Sequence, residues 1–275
     1  MELDLDAYFD RIGWTGGRAP TADTLRALNR AHVRGIPFEN LEPVLVSAPS
    51  IDLADIQTKL IRSRRGGYCY EQNTLFAAVL RALGFSVTGL AARVVQGARP
   101  GAIRPRTHMT LLVEVPDEPG RYLADVGFGS EGGLLEAVPL VVGTVTVGAD
   151  GRRHRLVQPE RTGPLATWLL QAREVGAPET ADWDGQYSFT EEPFEQTDFD
   201  VANWHVATNP RSPFSRAVHV QRTFDDRHLR LAGRELTEKF ADGRERRVVQ
   251  VADEELLKVL ADDFGIELPE GTKLP

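Results

Sequence analysis

The hydrophobic period of this chain changes at Gly84. Ahead of it, Leu75, Phe76, Val79, Leu80 and Leu83 stand at i, i+1, i+4, i+5 and i+8, which is one face of a helix, and Gly84 sits where a helix C-cap belongs. Behind it, residues 85–95, 107–115 and 122–126 are β-prone runs. Such a chain must pack helices against a sheet. The pattern predicts an α+β fold in three parts: a helical bundle over 1–84, a β-barrel or strongly curved sheet over 85–200, and an α/β segment over 201–275 that forms a lid.

Within the first part, Asp4 caps a helix over 5–12 that Gly13 stops. Pro20 and Thr21 introduce a second over 24–33, with Leu25, Leu28 and His32 on one face and Gly35 as the stop; His32 reads as a core histidine. Asp52 and Asp55 open a third, through Ile56, Leu60 and Ile61 to Arg62, Arg64 and Arg65, with charges matched to the helix dipole. The cysteine helix is then the fourth. Residues 97–106 are a Gly-, Pro- and Arg-rich loop, either a solvated loop or a gate that meets an anionic ligand. Further strands are expected at 137–147 and 153–157, joined by Ala149-Asp150-Gly151, and at 168–173, with His154 exposed. Residues 176–200 are acidic and contain Pro178 and Pro193, which reads as a connector; Trp204 beyond it reads as core packing, with a pocket wall beside the Ser-Pro-Phe block as the other reading. The last part holds strands at 217–224 and 229–231, a turn at Asp242-Gly243 and a helix from Asp253 to Gly265.

The net charge of −8 argues against a general nucleic-acid binder, because phosphate attraction needs a basic surface. A single cysteine excludes an internal disulfide and a multi-cysteine zinc site, so no metal is expected. The acidic N-terminus lacks a signal-peptide core, and no apolar run approaches the roughly 20 residues of a membrane span. A cytoplasmic protein is the expectation.

That cysteine, Cys69, lies in Arg65-Gly66-Gly67-Tyr68-Cys69-Tyr70-Glu71-Gln72-Asn73, at the first turn of the predicted helix. The aligned peptide dipoles there favour thiolate over thiol, and Gly66 and Gly67 are expected to bend the backbone and leave space beside the sulfur. A nucleophile needs a base, and the base needs an orienting group. His108 opens one strand-like run and Asp125 closes the next, so a hairpin would set them side by side. A Cys–His–Asp set serves proteolysis, transglutamination or acyl transfer equally. Glu71 and Asn73 read as groups that hold the site's backbone rather than reactants.

The segment RGGYCYEQN resembles the RGGxCxExN signature of arylamine N-acetyltransferases. His108, Asp125-Val126-Gly127-Phe128-Gly129, Pro37-Phe38-Glu39-Asn40 and Asn209-Pro210-Arg211-Ser212-Pro213-Phe214 also look like segments of that family. The resemblance implies a papain-like core and the triad Cys69, His108 and Asp125. It implies an acetyl group passed from acetyl-CoA, through acetyl-Cys69, to the nitrogen of an arylamine or arylhydrazine of xenobiotic metabolism. Phe38 and Phe128 would hold the acceptor; Gly127, Gly129 and Thr107 would meet the cofactor. The family's macrolactam-forming amide synthases, a cysteine hydrolase or transglutaminase-like enzyme, and a binding module with a vestigial triad are the other readings. Oligomeric state is not encoded in these patterns.

Overall fold

In the computed structural model, which describes residues 3–99, 101–116, 118–160, 163–240 and 247–275, Asp4 accepts a hydrogen bond from the Ala7 amide and caps α1 (Leu5–Ile12), which closes on Gly13 at φ 66°. Thr21 caps α2 (Ala22–Gly35) through the Thr24 amide. The two-residue strand β1 (Phe38–Glu39) and the short α3 (Leu41–Leu45) follow; Pro43 falls within a first turn, where its missing N–H costs nothing. Helix α4 (Leu53–Ile56) runs into a π-helical turn at Gln57–Arg62. The expected third helix therefore ends at Arg62 rather than Arg65, because Arg64 takes a left-handed φ of 52° and turns the chain toward the glycines. With α3 present, the cysteine helix α5 (Cys69–Ala82) is the fifth, not the fourth.

Helix α5 is buried along most of its length. Leu75, Phe76, Val79 and Leu80 pack with Tyr8, Leu25 and Leu28 on one side and with Leu111 and Val113 of the sheet on the other. Each such side chain contributes about 1.5–3 kcal/mol relative to exposure, and together they fix the helix that carries the sulfur.

Strands β2 (Ser86–Val94), β3 (His108–Glu114), β4 (Arg121–Ala124), β5 (Val138–Pro139), β6 (Val145–Val147), β7 (Arg153–Val157), β8 (Trp168–Arg173) and β9 (Asp184–Phe189) form an antiparallel eight-stranded sheet in the order β5-β4-β3-β2-β9-β8-β7-β6. Leu90, Leu123, Leu156, Leu170 and Tyr187 share one interior cluster, which requires strong curvature. The expected strand over 137–147 is instead two strands at opposite edges of this sheet. Pro139 cannot extend the ladder, and Gly143 at φ 78° redirects the chain.

The expected connector over 176–200 holds β9, paired between β2 and β8, and the start of α6 (Gln196–Thr208). Tyr187, Ser188 and Phe189 are buried in succession, so the strand carries no alternating pattern to read. His154 is buried, not exposed: it shares the inner face of β7 with Leu156, and its Nε2 lies 3.1 Å from the Gly132 carbonyl. Trp204 is 64% exposed rather than core, since Phe199, Asn203 and Val206 take the inner stripe of α6.

Strands β10 (His219–Thr223), β11 (Arg227–Ala232), β12 (Glu235–Phe240) and β13 (Arg247–Gln250) add to β1 in a second antiparallel sheet, β1-β10-β11-β12-β13, backed by α7 (Leu256–Phe264). Strands β12 and β13 extend the sheet beyond the two strands read from sequence; the expected turn at Asp242-Gly243 lies outside the described residues. Phe38 is the register partner of Gln221, so the C-terminal sheet is joined directly to the N-terminal part. The α+β class is borne out. Among the described residues, no helix is long and apolar enough to cross a membrane.

Candidate active site

Cys69 is the first residue of α5 and is 5% exposed. The two glycines before it are enclosed on their Cβ side. A Cβ on Gly66 would meet the Pro37 carbonyl oxygen at 2.2 Å, and one on Gly67 would meet Glu71 Oε2 at 2.8 Å. Neither has a positive φ. Gly66 is pressed against the Pro37 backbone and Gly67 against the capping Glu71 side chain, and neither leaves room for a Cβ.

The polar residues of the signature satisfy this buried entry. Glu71 Oε2 accepts from the Tyr68 amide at 3.1 Å, and its Oε1 accepts from Lys59 Nζ at 2.6 Å. Burial pushes the Glu71 carboxyl up to about 7 against the opposing pull of Lys59. Gln72 Nε2 donates to the carbonyls of Pro37 and Gly67, and its Oε1 lies 2.6 Å from His32 Nε2. His32, the expected core histidine, is bonded on its other nitrogen to the Tyr8 hydroxyl, and burial lowers it to about 4, so it stays neutral. Tyr68 donates its hydroxyl proton to Asn203 Oδ1, which ties α6 to the residue preceding the cysteine.

His108 opens β3 and Asp125 directly follows β4, and the β3–β4 hairpin brings them together: His108 Nε2 lies 2.6 Å from Asp125 Oδ2. Asp125 Oδ1 accepts from Asn73 Nδ2 and from the Gly127 amide, each at 3.0 Å. Burial alone would raise this carboxyl, but His108, Asn73 and Gly127 together hold it below the usual carboxylate range. Burial alone would likewise lower His108; the charge and hydrogen bond of Asp125, with a further hydrogen bond from Cys69, push it up to about 10. Since Asp125 occupies Nε2, the ring nitrogen left for the thiol is Nδ1. Cys69 Sγ also lies 3.9 Å from the Thr107 carbonyl. Asn73 thus reaches from the cysteine helix to the carboxylate, as its position four residues after Cys69 on the same helix allows.

These groups open onto a cleft of about 610 Å³. Its wall takes Phe38 from β1, Phe128 from the loop after Asp125, and Phe214, His219 and Gln221 from the C-terminal segment. Thr107, Gly127 and Gly129 also line it. The two glycines are not open surfaces on their Cβ side: a Cβ on Gly127 would meet Cys69 Cα at 2.7 Å, and one on Gly129, at φ 59°, would meet the Phe38 ring at 2.3 Å. Arg104, of the arginine-rich loop, lies in the wall, whereas Arg106 turns outward to Glu192 at 2.8 Å. Among the described residues, no group of three His, Cys, Asp or Glu could hold a metal ion.

Sequence reading missed Tyr187. Its ring centroid lies 4.9 Å from that of His108 and 5.0 Å from that of Phe128, so it backs the imidazole from β9. An aromatic in a stretch without periodicity gave no signal. His205, one turn before the end of α6, also lines the cleft.

The family model described as N-acetyltransferase matches residues 21–273. The chain belongs to that family. It is a family of acyltransferases, and this chain is 38% identical to the arylamine N-acetyltransferase of Mycolicibacterium smegmatis over 98% of its own length and 94% of the relative's. The crystal structure of the Nocardia farcinica arylamine N-acetyltransferase superposes with a TM-score of 0.88 at 43% identity, covering 98% of this chain and 91% of that one. The Mycobacterium marinum arylamine N-acetyltransferase in complex with CoA superposes with a TM-score of 0.86 at 36% identity, covering 96% and 93%. The match runs through the C-terminal sheet, where the sequence motifs thin out.

Proposed function

We propose that this chain transfers an acetyl group from acetyl-CoA to the nitrogen of an arylamine or arylhydrazine in two half-reactions, through an acetyl thioester on Cys69. The observation that carries the reading is a buried His108–Asp125 pair beside a cysteine that faces a cleft walled by aromatic rings. Kinship with named arylamine N-acetyltransferases, one of them solved with CoA, supports donor and acceptor.

In the first half-reaction His108 takes the proton of Cys69, and the thiolate adds to the thioester carbonyl of acetyl-CoA. The tetrahedral adduct collapses by expelling the CoA thiolate, which leaves with the proton from His108. Exchange of one thioester for another is nearly isoenergetic, so nothing besides positioning and charge stabilisation is asked of the protein. In the second, the amine nitrogen attacks acetyl-Cys69 while His108 removes its proton, and Cys69 departs as the leaving group. Asp125 holds the imidazole in one orientation and stabilises its charge throughout.

Thr107 and Gly127 spend their amide protons on the Ala92 carbonyl and on Asp125, so they meet the donor by surface contact and not as oxyanion donors. The amide of Cys69 itself, at the positive end of α5, is assigned that role. Phe38 and Phe128 supply flat apolar faces for the acceptor ring. Arg104 and Arg211 give the cleft wall the positive charge that the phosphates of CoA require.

The test is an intact mass of the protein after brief exposure to acetyl-CoA without acceptor. One acetyl group on Cys69, discharged by added aniline with formation of acetanilide, is the expected result. No adduct in wild type, an adduct retained in Cys69→Ser, or release of free acetate in place of the amide would each reject the proposal.

A further inference from the structure

Gln221 stands where three parts of the chain meet. On β10 it is the register partner of Phe38. Its Nε2 donates to the Gly129 carbonyl, one residue past Phe128. With Nε2 so committed, the amide orientation is fixed, and Oε1 faces His228 Nε2 at 2.9 Å. An oxygen there can only accept, so His228 carries its proton on Nε2. Its Nδ1 then accepts from the Thr223 hydroxyl at 3.0 Å. The chain Thr223 → His228 → Gln221 → Gly129 runs in one direction, and each link leaves the next group a single role. Thr223 and His228 are 8% and 6% exposed. Burial, with Arg152, Lys239 and Arg230 nearby, lowers His228 to about 3, so the chain keeps this polarity at any working pH.

Packing alone does not hold the rings that this chain reaches. A cavity of about 40 Å³ adjoins them, lined by Phe38, Asp125, Phe128, Gly129, Gln221 and His228 among others. Gly129 presses its Cα face on the Phe38 ring, so the pull of Gln221 on the Gly129 carbonyl sets both the tilt of Phe128 and the seat of Phe38. The geometry points to Gln221, His228 and Thr223 as positioning residues for the acceptor, which hold the two phenylalanine faces of the cleft at a fixed separation. No hydrogen bond joins Gln221, His228 or Thr223 to Cys69, His108 or Asp125 among the described residues. The link to the triad is the Phe128 ring, whose centroid lies 5.1 Å from that of His108, so acylation is affected less than acceptor binding. This inference rests on the proposed acetyl-transfer function and deepens it.

The experiment separates the half-reactions in wild type, Gln221→Met, His228→Leu and His228→Gln. Acylation is followed by quenched intact mass with acetyl-CoA, and deacylation by decay of the acetyl-enzyme against aniline concentration. Losing the chain should raise the aniline concentration for half-maximal deacylation by about fivefold in Gln221→Met and His228→Leu, with acylation slowed by no more than about twofold. His228→Gln, which keeps a donor near the Nε2 position, should recover most of the loss. Unchanged aniline dependence in the two disrupting variants overturns the inference, as does a matching fall in acylation, or a His228→Gln protein as impaired as His228→Leu. If His228→Leu does not fold, Thr223→Val removes the last link and is held to the same outcomes. Failure of wild type to form an acetyl-enzyme would reject the parent function instead, so the two failures are distinct.

Discussion

His108 Nε2 and Asp125 Oδ2 lie 2.6 Å apart, with side chains only 3% and 0% exposed. A histidine raised from 6.5 to about 10 by its partner binds its proton more tightly folded than unfolded. Its contribution to stability is therefore fully present below 6.5 and is lost as the pH rises through about 10. Urea unfolding of wild type and His108→Gln at pH 6, 8 and 10 should show the wild-type advantage shrinking along that series. A constant difference would mean that the pair is not ionised as described.

Asn73 bridges the carboxylate and the sheet: it donates to Asp125 Oδ1 and to the Met109 carbonyl at 2.8 Å, and accepts from the Val126 amide at 3.1 Å. Asn73→Ala leaves buried partners unpaired and should cost about 2–3 kcal/mol. It should also slow acylation, because Asp125 loses one of its restraints. Chemical denaturation together with the acylation rate tests both effects; a neutral variant would show the contacts to be incidental.

Gly127 and Gly129 should fail differently. A methyl on Gly127 drives the loop away from Cys69 Cα and Asn73, so Gly127→Ala should lower the acylation rate. On Gly129 it meets the Phe38 ring in a left-handed backbone, so Gly129→Ala should weaken aniline binding and cost about 1 kcal/mol or more in strain. Half-reaction kinetics would expose the contrast, and identical defects would contradict it.

Lys59 sits between Glu42 Oε2 at 2.7 Å and Glu71 Oε1 at 2.6 Å, and Glu71 is 1% exposed. Lys59→Met strips a buried carboxylate of its cation and should destabilise the protein by about 3–5 kcal/mol. The loss should be smaller at pH 5 than at pH 8, because protonated Glu71 needs no partner. Melting temperatures at the two values provide the check; an equal loss at both would refute the assignment.

Much of the frame was legible locally. The caps Asp4 and Thr21, the closing glycines Gly13 and Gly265, and the strands around His108, Arg153 and Trp168 depend on neighbours a few residues away, and they lie where the residues put them. Strand β9 was not legible, because residues buried on both faces carry no alternation, and neither was the burial of His154.

The sequence by itself determined that one thiol begins a helix, that a histidine and a carboxylate follow on adjoining strands, and in which order they come. Local propensity and chain order suffice for that. Only the tertiary structure decided that Gly66, Gly127 and Gly129 are glycine because other parts of the chain press on them. It also decided that Tyr187 backs the imidazole, and that Gln221, more than 180 residues from Phe38, completes the cleft. Those are contacts between segments distant along the chain, set by sheet register and by the filling of shared space, for which no local pattern of residues carries a code.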